Sequence, residues 1–184
     1  MSRVLIPLAK GFEDIEFVSV VDVLRRGGVE VVTASIGDGL SVESAHGVSM
    51  CADAMFADVS GEGFDAIVLP GGGEGTRLLR ESEDVKERLR VQKEAGGLIC
   101  AICAAPLVLV DAGVLEEDQH VTCYPTCSID LDRPCSGVPV VADGNVITGQ
   151  APGSAMLFGL VVLGALAGDE VRNRVARGLV TDVI

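Results

Sequence analysis

Residues 97–113 read GLICAICAAPLVLVDAG, and the way this stretch divides decides the fold. Its first half, from Gly97 to Ala101, is short and continuously apolar, the pattern of a strand buried on both faces. Its second half, from Ala105 to Gly113, places Pro106 in the first turn of a helix and a glycine at the end, where each is favoured. Cys103 then falls at the joint between strand and helix. Around it, Ala101-Ile102-Cys103-Ala104-Ala105 keeps small residues two positions either side of the cysteine, as a sharp nucleophile elbow requires.

The same alternation extends in both directions. Residues 3–9 (RVLIPLA) read as a buried strand that ends before Gly11. A helix follows, with Glu13 and Asp14 near its positive end, an apolar stripe of Phe17, Val20, Val21 and Leu24, and a stop at Gly27-Gly28. Strands are expected at 29–35 and 64–69, the second running into a glycine turn, with a small hairpin over 40–56 between them. A surface helix over 82–96 takes Ser82 as its N-cap. Strands near 120–124, 138–142 and 145–149, a helix from about 153 and a short helix over 169–180 complete the chain. Strand–helix alternation of this kind builds a mainly parallel sheet covered on both faces, an α/β three-layer sandwich. With no repeat, linker or low-complexity tract, residues 1–184 are expected to form a single domain.

Composition narrows the function. The 184 residues carry a formal net charge of −13 and only 3% aromatic side chains, so neither a phosphate-binding surface nor a base-stacking platform is available, and no nucleic-acid partner is expected. The most apolar segment, 153–168, falls short of the roughly 20 residues that span a bilayer, so no membrane partner is expected. Six cysteines without a signal-peptide pattern point to free thiols in a reducing compartment, and hence to a cytoplasmic protein.

In a doubly wound sheet, chemistry collects at the carboxyl ends of strands, where Cys103 lies. The helix beginning there would favour its thiolate; spacing alone leaves open whether Cys103 is reactive or a small core residue. Cys100 sits inside the strand, roughly 10 Å from Cys103 in an extended chain and out of disulfide reach, and reads as core. Glu16 lies on the margin of its helix's apolar stripe, either tucked inward with a raised pKa or serving as an ordinary first-turn acid. The LPGGGEG segment (69–75) can hold an oxyanion on backbone N–H groups, but lacks the Lys and Ser/Thr of a phosphate-binding P-loop. Cys123, Cys127 and Cys135, even with His120 as a fourth ligand, lack the paired spacing of a zinc site, so no metal is expected. His46 falls in the hairpin turn and reads as a surface residue, and two histidines assemble no Ser-His-Asp triad.

LAKGFEDIEFVSVVDVLRRGG, IVLPGGGEG, GLICAICAAP, VTCYP and APGSAMLFGL, in this order along nearly the whole chain, resemble the DJ-1/PfpI (ThiJ/PfpI) superfamily, and its DJ-1-like branch in particular. The resemblance implies a flavodoxin-like fold and a homodimer without a cofactor. It makes Cys103 the nucleophile and oxidation-prone thiol, Glu16 the protonated carboxyl beside it, and the N–H groups of Gly72 and Ala104 the oxyanion donors. Gly71, Tyr124 and Pro152 would line the pocket. The activities implied are glutathione-independent glyoxalase or deglycase chemistry on small α-oxoaldehydes, with redox sensing or chaperoning through a Cys103 sulfinate as the alternative. Some relatives have a histidine, in a THP-like context, where Tyr124 stands, and an arginine where His46 or Gln150 stands. Both departures argue against a cysteine peptidase or amidase and against tight anion binding.

Overall fold

The apolar runs pair side by side in a computed structural model that describes residues 1–131, 133 and 135–181. In chain order the first elements are β1 (Arg3–Leu8), α1 (Asp14–Arg26), β2 (Glu30–Ser35), β3 (Ser41–Glu43), β4 (Ser49–Cys51), β5 (Ala54–Met55) and α2 (Phe56–Val59). Then come β6 (Ala66–Leu69), α3 (Gly73–Glu81), α4 (Glu83–Glu94), β7 (Leu98–Ile102) and α5 (Pro106–Ala112). The chain continues through β8 (Val140–Asp143), β9 (Val146–Gly149), α6 (Ala155–Ala167) and α7 (Asp169–Gly178).

Seven strands form one sheet in the order β5-β2-β1-β6-β7-β9-β8, parallel except for the β8–β9 pair. β3 and β4 make a separate antiparallel hairpin. Because successive strand residues point to opposite faces, each central strand supplies two cores. Val4, Ile6 and Leu8, Val68, and Cys100 and Ile102 pack under α1, α6 and α7. Leu5, Ile67, Leu69, Ile99 and Ala101 face α2, α3, α4 and α5. Covering both faces accounts for the unbroken apolar runs, and the result is the α/β three-layer sandwich expected from them. Cys100 is one of these core side chains, fully buried, with its thiol pKa raised by burial.

Two expectations fail. Residues 120–124 are not a strand: Val121 makes a single bridge to Cys135, and the neighbouring backbone is satisfied elsewhere. The N–H of Thr122 donates to Thr148 Oγ1 (2.9 Å) and that of Tyr124 to the Cys103 carbonyl (2.8 Å). The glycine turn after β6 is also shorter than expected, because α3 starts within it at Gly73. Among the described residues, no helix is long and apolar enough to cross a membrane.

Candidate active site

β1, β6 and β7 are neighbours in the sheet, so their carboxyl ends bring three loops to one place. The loop after β1 ends at Glu13 and leads into α1, whose first turn carries Glu16; the loop after β6 carries Gly71 and Gly72; Cys103 follows β7 directly. Backbone bonds lock the loops together: Glu13 N–H donates to the Gly71 carbonyl (3.0 Å), and Cys103 N–H to that of Gly149 (2.9 Å). Cys103 has φ +65°, the left-handed conformation that costs a residue with a Cβ about 1–2 kcal/mol. The strand before it and the helix after it hold that strained turn and present the thiol, 9% exposed, at the rim of the sheet.

Glu16 is fully buried. Its Oε2 accepts a 2.7 Å hydrogen bond from Gly71 N–H, while Oε1 has no partner. The space behind the carboxyl, bounded by Ile6, Phe17, Val20, Val68, Pro70 and Ile102, has no room for a water molecule. Burial in this dry setting pushes the Glu16 pKa up to about 7 and the charge of Glu13 adds to it, against the opposing pull of Gly71 N–H and the Cys103 thiol. Gly71 sets the closeness of the pair. A Cβ there would lie 2.7 Å from both Cys103 Cβ and Glu16 Oε2, so only glycine lets thiol and carboxyl meet across it.

The expected pull of the helix end toward thiolate meets opposing influences in the site. Burial first, then the charge of Glu16 and the hydrogen bond to it, push the Cys103 thiol up to about 12. The N–H groups of Ala104 and Gly72 act on the sulfur in the opposite direction and are outweighed. Thiol and carboxyl therefore influence each other's protonation. With Glu16 ionised the proton stays on sulfur.

Other sequence candidates fall into place around this pair. Tyr124 is exposed and tied to Cys103 by its own N–H, while Pro152 opens a short 3-10 turn (Pro152–Ser154) just beyond β9. Gln150 spends its side chain on the Gly137 carbonyl (2.8 Å). His46 is exposed, as expected, but its Nδ1 lies 2.8 Å from Asp14 Oδ2, an ion pair the sequence did not signal. With Glu13 these two bring three potential ligand atoms within 4.8 Å of one another, though Asp14 is already bonded to Ser44 and His46. His120 is exposed, and it joins no group of three ligands with Cys123, Cys127 and Cys135 among the described residues. Cys51 is exposed on the hairpin. A surface cavity of about 420 Å³ beside Lys10, Ser35 and Glu43 contains neither Cys103 nor Glu16.

Fold and site together define a doubly wound α/β protein with a cysteine on a strained strand–helix elbow, backed by a buried carboxyl. Residues 2–165 match the DJ-1/PfpI family, and the chain belongs to it. It is 42% identical to Protein dj-1beta of Drosophila melanogaster over 178 residues, covering 95% of each chain. Over 173 residues it is 36% identical to the glutathione-independent glyoxalase DJR-1.2 of Caenorhabditis elegans, covering 91% of this chain and 89% of that one. The crystal structure of Drosophila melanogaster DJ-1beta superposes with a TM-score of 0.94 at 40% identity, covering 99% of this chain and 100% of that one.

Proposed function

We propose that the protein is a glutathione-independent glyoxalase acting on small α-oxoaldehydes such as methylglyoxal and glyoxal. The observation that carries this reading is the Glu16 carboxyl, with a pKa of about 7, set against the Cys103 thiol. Acid–base work at neutral pH calls for such a group. The Cys103 sulfur adds to the aldehyde carbon while its proton passes to Glu16 and on to the former aldehyde oxygen, giving a hemithioacetal and leaving Glu16 ionised. Glu16 then removes the proton from that carbon and returns it to the neighbouring one through an enediolate, whose oxygens take hydrogen bonds from Gly72 and Ala104 N–H. This leaves a thioester, which water hydrolyses to the hydroxy acid and the free thiol. One carbon is oxidised as its neighbour is reduced, so the balance needs no external redox partner or cofactor.

The relative named a glutathione-independent glyoxalase supports the same chemistry. In this reading the protein works in the cytoplasm as a homodimer, and deglycation of adducts is a branch of the same reaction.

Because Glu16 must be ionised to take the thiol proton, kcat/KM for methylglyoxal without glutathione is expected to fall as pH drops through about 7. Initial rates across that range test this, and a profile that stays flat or rises on acidification contradicts it. A second reading rests on the unpartnered Glu16 Oε1, which, once protonated, would donate to an oxygen of a Cys103 sulfinate and make the site an oxidation sensor. A peptidase reading has little support. The His46 imidazole is paired with Asp14, and Tyr124 stands where a histidine would be needed.

A further inference from the structure

Twelve residues apart in sequence, on chain that is neither helix nor sheet, Cys123 and Cys135 bring their sulfurs to 3.3 Å. Both are free thiols, and the chemistry proposed for Cys103 uses neither. The contact is held from both sides. Val121 bridges to Cys135, Ser136 N–H donates to the Val121 carbonyl (3.0 Å), and Leu107, Val121 and Leu131 pack around the pair. Cys123 is 1% exposed, whereas Cys135 is half-buried and open to a small oxidant. Closing the gap to a sulfur–sulfur bond needs a movement of about 1 Å, within reach of side-chain rotation.

We propose that Cys123 and Cys135 form a redox-active dithiol that hydroperoxides convert to an intramolecular disulfide, independently of Cys103. The Cys135 thiolate attacks the peroxide oxygen, the O–O bond breaks, and the alcohol or water leaves, so that Cys135 becomes a sulfenic acid. The Cys123 sulfur then attacks the sulfenic sulfur. The S–S bond forms as the S–O bond breaks, and the hydroxyl departs with the Cys123 proton as water. Two thiols lose two electrons and one peroxide gains them.

The disulfide would close a loop that includes Tyr124, whose N–H is bonded to the Cys103 carbonyl. Oxidation of this pair therefore stiffens the segment beside the nucleophile without consuming the nucleophile itself.

The test uses full-length protein carrying Cys103→Ser, fully reduced and then treated with hydrogen peroxide at about one equivalent. Free thiols are alkylated, and the chain is digested without reduction and mapped by mass. The expected result is a cross-linked peptide joining Cys123 to Cys135, lighter by two hydrogens than the sum of its parts, formed in most chains and reversed by dithiothreitol. Adding Cys135→Ala should abolish it while leaving the circular dichroism unchanged. Both thiols recovered alkylated, sulfinate at either without a cross-link, or Cys127 joined to Cys135 in place of Cys123 would each overturn the proposal. The map of the Cys103→Ser protein decides this even if the second variant fails to fold. Because that protein lacks the nucleophile, the outcome is separate from the fate of the glyoxalase reading.

Discussion

Glu16→Gln is expected to make the protein more stable above pH 7 and far less active. A glutamine keeps the Gly71 N–H satisfied through its amide oxygen, fits the same dry space and cannot ionise. The wild-type carboxyl ionises near its ordinary 4.5 in the unfolded chain and near 7 in the fold. A folded pKa above the unfolded one contributes stability that is complete below 4.5 and lost as pH rises through 7. The corresponding cost above pH 7 is about 3 kcal/mol, which Glu16→Gln does not bear. Urea unfolding of both proteins on either side of this window should show wild type losing that much relative to the variant on going from acid to alkaline pH. Parallel curves would mean that the carboxyl is not held in a medium that resists its charge. Turnover should move the other way, falling about 10²–10⁴-fold with the loss of the proton acceptor. Stability gained where activity is lost is the signature of a group kept for chemistry at a cost to the fold.

Gly72→Ala is expected to cost about 4 kcal/mol or more, the largest effect on stability for any change of a single methyl group in the site. Gly72 has φ +96°, and an added Cβ would stand 2.3 Å from the Gly11 carbonyl oxygen and 2.7 Å from the Glu13 nitrogen. Those atoms are backbone, pinned by Glu13 N–H on Gly71 and by Gly75 N–H on the Gly11 carbonyl, so no rotamer change relieves the clash. The adjacent Gly73→Ala is the control. Its Cβ would meet nothing within 4 Å at an ordinary φ, and it should be neutral or stabilising by up to about 1 kcal/mol. Thermal unfolding of the pair should separate them by about 10 °C or more. If Gly72→Ala melts with Gly73→Ala, the loops after β1 and β6 are not locked as described.

Much of this architecture was legible in the residues. The central strands could be read because burial on both faces leaves them apolar without interruption, and α4 because Ser82 caps it and accepts from Val85 N–H. α3 was hidden because its first residues are Gly73, Glu74 and Gly75, and a glycine run reads as a turn. Val121 and Cys123 looked like strand residues because they are buried, but they pack with Leu107 and Leu131 while side-chain and loop bonds satisfy their backbone. For the site, the elbow composition around Cys103 and the marginal position of Glu16 were visible in spacing, whereas their pairing came only with the resemblance. The resting state of the thiol was not readable. It depends on burial and on a carboxylate brought from another helix, which together outweigh the local N–H groups. The Cys123–Cys135 contact carried no signal, since it is made by irregular chain without a period.

The most direct test of the central claim is formation of hydroxy acid from methylglyoxal in the absence of glutathione, comparing reduced wild-type protein with Cys103→Ser. A Cys103 sulfur that carries the substrate predicts lactate from the wild type and none above background from the variant. Equal lactate from both, or none from a wild type whose Cys103 is shown to be reduced, would contradict it.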